Sequence, residues 1–434
     1  MTKVGLISLG CAKNRVDSER ALGFLTQRGY EIVAEPDAAD VLIVNTCGFI
    51  APAKEESINT ILEMAQYKEK GCSTLVVTGC LAQRYREELR AEMPEVDILL
   101  GVDEYETLPD RLDERYGKAA GMGPLHELRI LSTPRHFAYL RIAEGCDNRC
   151  SFCAIPLIRG PYQSRPFEEI LDEAKSLIAS GVQELILIAQ DTTHYGVDRY
   201  RKHRLAELLR ELSKLDVRWI RLLYAYPNAL TDDVLAAMCE SEKIVKYLDI
   251  PLQHVDDDLL KAMKRRSNRA ALESLVEKIR ALDPRFVLRT TYIAGFPGEG
   301  ERAFEQLCDF VERSPFDRAG VFCYSAEEGT PAADYPGQVP GNIAQERADR
   351  LMALQKTQSR RLLEKRIGQR CDVVIEEVDE ERGYMIARSY GEAPEVDGVI
   401  QIRATGCNVG DWLEVEIIGA DDYDLSADIV QRQD

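Results

Sequence analysis

Glu144-Gly-Cys-Asp-Asn-Arg-Cys-Ser-Phe-Cys-Ala154 sets three cysteines on one short segment, at 146, 150 and 153, with the spacing C-x3-C-x2-C. The apolar run Phe137–Ile142 just before it reads as a β-strand, so the cysteines fall on the loop at that strand's carboxyl end. In a βα barrel the chemistry sits on such loops. Three thiolates on one loop can each bind one iron of a [4Fe–4S] cube, leaving the fourth iron open to a substrate or cofactor. A structural zinc site requires four closed ligands. The nearest histidine, His136, stands ten residues upstream, on the far side of the strand.

Outward from this loop, the βα theme recurs about six times between residues 135 and 366. The expected strands are Phe137–Ile142, Glu184–Ala189, Trp219–Tyr224, Tyr247–Pro251, Val287–Ile293 and Val321–Tyr324. Amphipathic helices lie between them, such as Glu168–Ser180, closed by Gly181, and Ala270–Leu282, closed by Asp283-Pro284. Six sequential units suit an open, partial TIM-like barrel better than a closed eight-stranded one. A long helix, Ile343–Ile367, ends this block.

Two further blocks flank it. Residues 1–118 alternate β-branched apolar runs (Val4–Leu9, Val41–Val44, Leu75–Thr78) with helical patterns near Asp17–Arg28 and Lys54–Lys70. That alternation predicts a parallel sheet. Residues 119–134, within the Gly- and Pro-bearing stretch Gly117–Pro134, read as a linker. From 367 to 434 short strands replace the helices: Cys371–Val378, Tyr384–Ser389, Gly398–Ile402, Trp412–Ile418 and Leu425–Ile429. These predict a small five-stranded, OB-like barrel.

Composition bounds the rest. The chain is 45% hydrophobic and 30% charged, with a net charge of −19. No apolar run reaches the ~20 residues of a membrane helix, and Met1–Gly10 lacks the pattern of a signal peptide. A cytosolic location and no membrane partner are therefore expected, and a monomer is the default. Cytosolic thiols stay reduced, so clustered cysteines point to metal or catalysis rather than disulfides. The net charge favours a basic partner.

Three more cysteines form a pattern. Cys11, Cys47 and Cys80 each follow one of the three strong strands of the first block, 36 and 33 residues apart. All carboxyl ends of a parallel sheet lie on one edge. Three successive βα units therefore bring these thiols together, which predicts a second three-cysteine cluster. Cys72 precedes its strand and belongs at the opposite edge. Cys239, Cys308, Cys323, Cys371 and Cys407 read as spectators.

The central motif resembles the signature of the radical S-adenosylmethionine (SAM) superfamily, with the aromatic Phe152 before the third cysteine. The resemblance implies that SAM chelates the open iron and is cleaved to a 5′-deoxyadenosyl radical. Gly295 and Gly298 follow a strand, where backbone can approach a ligand closely. Their segment Thr291-Tyr-Ile-Ala-Gly-Phe-Pro-Gly298 is similar to a SAM-binding stretch of that superfamily. Gln190-Asp191 and Pro251-Leu-Gln-His254 also end strands on the same side.

Two cysteine trios in one acidic chain resemble the methylthiotransferases along the whole length. The likeness implies a flavodoxin-like first domain, a radical-SAM barrel and a C-terminal barrel of the TRAM type. It also implies two [4Fe–4S] clusters, two SAM molecules, a sulfide or persulfide sulfur source, and a reductant such as a flavodoxin-type donor. One SAM methylates sulfur at the auxiliary cluster, and the other supplies the radical that activates an unreactive carbon. One branch of the family modifies adenosine in transfer RNA. The other modifies the β-carbon of an aspartate in small-subunit ribosomal protein S-twelve.

Charge and motif favour the protein branch. Residues 367–434 hold five Lys and Arg against seventeen Asp and Glu, including Asp421, Asp422, Asp424 and Asp428. A barrel that binds RNA needs a basic groove, so this one argues against RNA and suits a basic ribosomal protein. Gly10-Cys-Ala-Lys-Asn-Arg-Val-Asp-Ser-Glu19, Cys146-Asp-Asn-Arg-Cys150 and Ile155-Pro-Leu-Ile-Arg-Gly160 look like the ribosomal-protein branch. The transfer-RNA reading rests on Ile343–Ile367, with seven basic and three acidic residues. An iron–sulfur scaffold, which would not cleave SAM, is the reading of another class.

Overall fold

The structure, a computed structural model, describes residues 1–117 and 129–433. β1 (Lys3–Ser8), β2 (Glu31–Ile32), β3 (Val41–Thr46), β4 (Thr74–Gly79) and β5 (Ile98–Leu99) form a parallel sheet in the order β2-β1-β3-β4-β5. This is the flavodoxin-like order. Every residue of β3 and β4 is buried. Helix Ala12–Gln27 packs Ala21 and Leu25 on one face, and helix Ala51–Ala65 packs Ile61 and Met64 on the other. Covering both faces is what permits continuous apolar strands such as Val41–Val44. The edge strands β2 and β5 have two residues each, too few to show a period in sequence. The expected Lys54–Lys70 helix is α-helical only to Ala65 and tightens to 3-10 over Gln66–Lys70.

The second sheet begins with β6 (Phe137–Arg141). A short antiparallel pair, β7 (Ala143–Glu144) and β8 (Gln163–Ser164), brackets the cysteine loop. β9 (Glu184–Ile188), β10 (Trp219–Leu222), β11 (Ile244–Asp249), β12 (Val287–Ala294) and β13 (Arg318–Cys323) complete a parallel array in the order β13-β12-β11-β10-β9-β6. It is an open barrel of six strands, as expected. Two strands start earlier than the sequence suggests, because buried cations interrupt the apolar pattern. β11 includes Lys246, whose Nζ donates to the carbonyls of Met238 (2.6 Å) and Ser241 (2.9 Å). β13 begins at Arg318, whose guanidinium bonds Glu392 (3.0 Å).

β14 (Arg370–Asp379), β15 (Tyr384–Ser389), β16 (Ile400–Ile402), β17 (Trp412–Ala420) and β18 (Leu425–Gln433) close into a barrel in the order β14-β15-β16-β18-β17. Only the β16–β18 pairing is parallel. The result is the five-stranded Greek-key arrangement of OB-type barrels.

This third unit lies against the concave side of the six-stranded array. Val374, Ala393 and Trp412 share an apolar cluster with Phe137, Tyr139, Trp219 and Tyr247, and the Trp219 and Trp412 rings meet edge to face at 4.5 Å. Polar contacts fix the join: Tyr247 Oη to Asp397 (2.6 Å), Tyr139 Oη to Glu395 (3.1 Å), and Arg221 to the Tyr390 carbonyl (2.8 Å). Glu392 sits between Arg366 (2.6 Å) and Arg318 (3.0 Å). Burial alone would raise its carboxyl, yet the two guanidiniums hold it down to about 2.

Of the linker read at 119–134, the part up to residue 128 lies outside the described residues. From Arg129 onward it is tied to the first unit. The Ile130 amide donates to the Glu19 carbonyl (3.1 Å), and the buried Glu19 carboxylate accepts from Ser132 (2.9 Å) and Arg129 (2.5 Å). No helix among the described residues is long and apolar enough to cross a membrane.

Candidate functional site

Three βα turns deliver the N-terminal thiols. Cys11 is the N-cap of helix Ala12–Gln27, Cys47 follows β3, and Cys80 opens helix Cys80–Arg84 directly after β4. They lie on one edge of the sheet, as the topology requires. Gly10 has φ +86°, and a Cβ there would stand 2.9 Å from Cys47 Cβ and 3.1 Å from its Sγ. The loops after β1 and β3 therefore touch at their cysteines. Asn14 fastens them, its Nδ2 donating to the carbonyls of Leu9 and Thr46, both at 2.9 Å. Burial raises the Cys47 thiol, and Cys11 adds to it against a backbone hydrogen bond from Phe49. Burial pushes Cys80 up to about 11, against the pull of Arg159.

The barrel thiols are held by their own loop. The Cys146 amide donates to Gly160 (3.2 Å), and the Cys153 amide to Cys150 (3.1 Å). Gly145 has φ +71° and backs onto the Pro161 carbonyl, leaving no room for a side chain. Ser151 pins the loop to the region after β11, its amide donating to Met263 (3.1 Å) and its hydroxyl to Ala262 (2.8 Å). Burial pushes the Cys146 and Cys153 thiols up to about 11 and about 12, with Cys150 adding to both.

All twelve cysteines are free thiols. Each trio is a set of soft donors, and burial raises two thiols of each, Cys47 and Cys80, Cys146 and Cys153, the environment in which a cluster's positive iron would supply the missing counter-charge. Among the described residues, no three His, Cys, Asp or Glu side chains converge on a single metal ion. A cube bound at three corners asks instead for thiols set apart. Both trios fit such a group in donor chemistry.

A buried ionic chain links the two sites, and sequence reading did not find it. Arg159 ends helix Ile155–Arg159, immediately after the cysteine loop. One guanidinium nitrogen donates to Asp17 (2.7 Å) and Glu144 (3.1 Å). The other donates to Asn14 Oδ1 (2.6 Å) and reaches Cys80 Sγ (3.4 Å). Arg141 also bonds Asp17 (2.5 Å) and Glu144 (2.8 Å). Arg159 appears in the sequence only as one letter of Ile-Pro-Leu-Ile-Arg-Gly. No periodicity announces its contact with a residue 79 positions away.

The remaining candidates fall into place unevenly. Phe152 packs with Leu259, Met263, Ile293 and Phe296. Gly295 has φ +78°, and a Cβ there would collide with Ala344 of helix Gly341–Glu364. Close helix packing thus accounts for this glycine without a ligand. Gly298, φ +86°, donates its amide to Gly337 (2.9 Å) in a turn. Gln190 contacts Glu144, and Asp191 accepts from Asn148 (2.7 Å) on the cysteine loop. His254 is fully buried beside Glu299 (3.4 Å). Cys72 donates to Thr74 (3.3 Å) at the opposite edge of the sheet.

Residues 3–101 match the uncharacterized protein family UPF0004, 140–311 the radical SAM superfamily and 367–430 the TRAM domain. The fold is similar to that of a radical SAM methyltransferase, TsrM, from Kitasatospora setae (TM-score 0.52, 15% identity, 74% of this chain and 75% of that one). Full-length relatives are closer. The chain is 49% identical to the ribosomal protein uS12 methylthiotransferase RimO of Desulforamulus reducens, over 99% of this chain and 100% of that protein. It is 46% identical to the RimO of Acetivibrio thermocellus (99% of each) and 47% identical to that of Myxococcus xanthus (99% and 92%). With this identity over its whole length and all three domains in order, the chain belongs to the RimO family of radical-SAM methylthiotransferases.

Proposed function

We propose that this enzyme places a methylthio group on the β-carbon of an aspartate in ribosomal protein uS12. In this reading Cys146, Cys150 and Cys153 hold the radical-generating cluster, and Cys11, Cys47 and Cys80 hold the auxiliary one. When bound, two clusters and two SAM molecules supply the radical and the methylated sulfur, the latter drawn from sulfide or persulfide. The chain's own residues do the rest. Arg159 and Arg141 clamp the two cysteine loops to one pair of carboxylates, fixing the spacing across which the substrate carbon must sit. Phe152, with Phe296, walls one side of the barrel loop against water. The turn at Gly298 would border SAM, with Gly295 seating it against Ala344 of helix Gly341–Glu364. A reductant of flavodoxin type would deliver electrons.

One observation carries this reading: two thiol trios, on two different sheets, joined through two buried arginines, Arg159 and Arg141. A binding protein would need no such fixed relation between them. The pairing of cations on 343–367 weighs against the RNA alternative. Five of the seven cations on 343–367 are already paired: Arg347 with Glu299, Arg350 with Glu305, Lys356 with Asp422, Arg360 with Glu364, and Arg366 with Glu392.

The test is anaerobic incubation of reconstituted enzyme with SAM, reductant and purified uS12. A mass gain of one methylthio group on uS12 is expected. An unchanged uS12, with methylthiolated transfer RNA in a parallel reaction, would overturn the substrate assignment.

A further inference from the structure

Lys13 is buried, 8% exposed, two residues after Cys11 in the first turn of helix Ala12–Gln27. Its stem is buried while its Nζ keeps some access to solvent, and an ammonium so placed ordinarily has an anionic or carbonyl partner. Among the described residues Lys13 has no hydrogen-bond acceptor or carboxylate. Its Nζ lies 3.1 Å from the centroid of the Tyr224 ring. The acids that could have served it are committed elsewhere. Asp17 belongs to Arg141 and Arg159, Asp249 to Arg289 (2.9 Å), and Glu395 to Arg15 (2.8 Å).

Tyr224 is itself unusual. It lies two residues past the carboxyl end of β10, at the mouth of the open barrel, with φ +59°, a conformation that bulky residues seldom adopt. It is held there from both ends. Its amide donates to Asp249 (3.2 Å), and its carbonyl accepts from the Thr192 amide (3.1 Å) and hydroxyl (3.2 Å). Cys11 carries no side-chain cap, so the helix presents its first-turn amides and the Lys13 charge at one place.

We infer that Lys13, seated on Tyr224, is the binding group for the carboxylate of the substrate aspartate. The auxiliary cluster is also anionic, but its cation is Arg159, which faces Cys80. Lys13 turns the other way, onto the barrel. The reacting β-carbon is bonded directly to the side-chain carboxyl carbon. A carboxylate anchored at Lys13 therefore leaves that carbon near Cys11, on the side that faces the barrel strands. This rests on the proposed aspartate substrate, and it explains how an asparagine or a nucleobase would be refused: neither presents an anion to the ammonium.

The test compares binding and turnover of uS12 with its target aspartate intact or changed to Asn, using reconstituted wild-type enzyme and Lys13→Met. Calorimetry on the wild type should show binding weakened on the order of 10- to 100-fold by the Asn substitution. Lys13→Met should raise KM for the aspartate substrate by a similar factor and erase the preference, with iron content and SAM cleavage unchanged. Equal binding of the two proteins by the wild type overturns the inference, and that measurement needs no variant. So does a Lys13→Met enzyme that keeps the preference, or one that loses auxiliary iron, which would assign the ammonium to the cluster. If the wild type never modifies uS12, the substrate reading falls and takes the inference with it.

Discussion

The two cysteine trios solve one chemical problem in opposite ways. Cys146, Cys150 and Cys153 lie on a single loop, closed locally by hydrogen bonds that the Cys146 and Cys153 amides donate to the Gly160 and Cys150 carbonyls. Cys11, Cys47 and Cys80 come from three βα turns, and only the order β1-β3-β4 makes them neighbours. The first trio is set by a local sequence and the second by a folded domain. The difference teaches that, under the proposed assignment, the auxiliary trio is the more fragile of the two. Anything that loosens the sheet edge disperses Cys11, Cys47 and Cys80, whereas Cys146, Cys150 and Cys153 stay together on one loop.

Single replacements should separate the trios most sharply. Cys150→Ala should abolish cleavage of SAM to 5′-deoxyadenosine. Cys80→Ala should retain cleavage while yielding no methylthiolated uS12. Chromatography of both products checks this, and identical losses in the two variants would break the comparison.

Removing the link between the trios comes next. Arg159→Leu leaves Asp17 and Glu144 short of a cation in a buried setting, a cost of about 3–5 kcal/mol. Thermal unfolding should shift down accordingly, and auxiliary iron should be lost first. A variant with unchanged melting and both clusters intact would show that the trios are positioned independently.

Acid should act on a third place and spare the distinction. Glu392 is held at about 2, below the ordinary carboxyl value, so its ion pairs stabilise the fold fully above about pH 4.3. That contribution, on the order of 3 kcal/mol, is lost as pH falls from there through about 2. Glu392→Gln should flatten the stability-versus-pH curve in this window, measured by denaturant titration at successive pH values. A curve as steep as that of the wild type would remove Glu392 from the account.

The smallest effect is the most diagnostic of fragility. Asn14→Ala leaves the Leu9 and Thr46 carbonyls unbonded beside Cys11 and Cys47, at a cost of about 2 kcal/mol. In rising urea with a chelator, auxiliary iron should leave this variant well before barrel iron. Simultaneous release would contradict the contrast drawn between loop and sheet.

Sequence made the cysteines legible for the same reasons that separate them. The C-x3-C-x2-C loop is a local string. The Cys11, Cys47 and Cys80 trio is a period, one thiol per βα unit, and parallel topology converts that period into proximity. Residues whose role depends on contacts between domains left no such trace. Arg159, Arg141 and Asp17 meet only once the first unit lies against the barrel. Tyr390–Asp397 docks on the concave face of the array although its sequence reads as a turn between strands. Lys246 and Arg318 hid the starts of β11 and β13, because a buried cation in a strand looks like a surface residue. Gly295 was readable as a special backbone position, but its cause, the approach of Ala344, was not.

The central claim is that one chain holds two clusters on these six cysteines. Iron analysis and electron paramagnetic resonance of the anaerobically reconstituted enzyme, beside a Cys11/Cys47/Cys80→Ala variant, test it most directly. The account predicts about eight irons falling to about four, with the SAM-responsive signal retained in the variant. About four irons in both proteins would contradict it and confine the metal chemistry to the barrel.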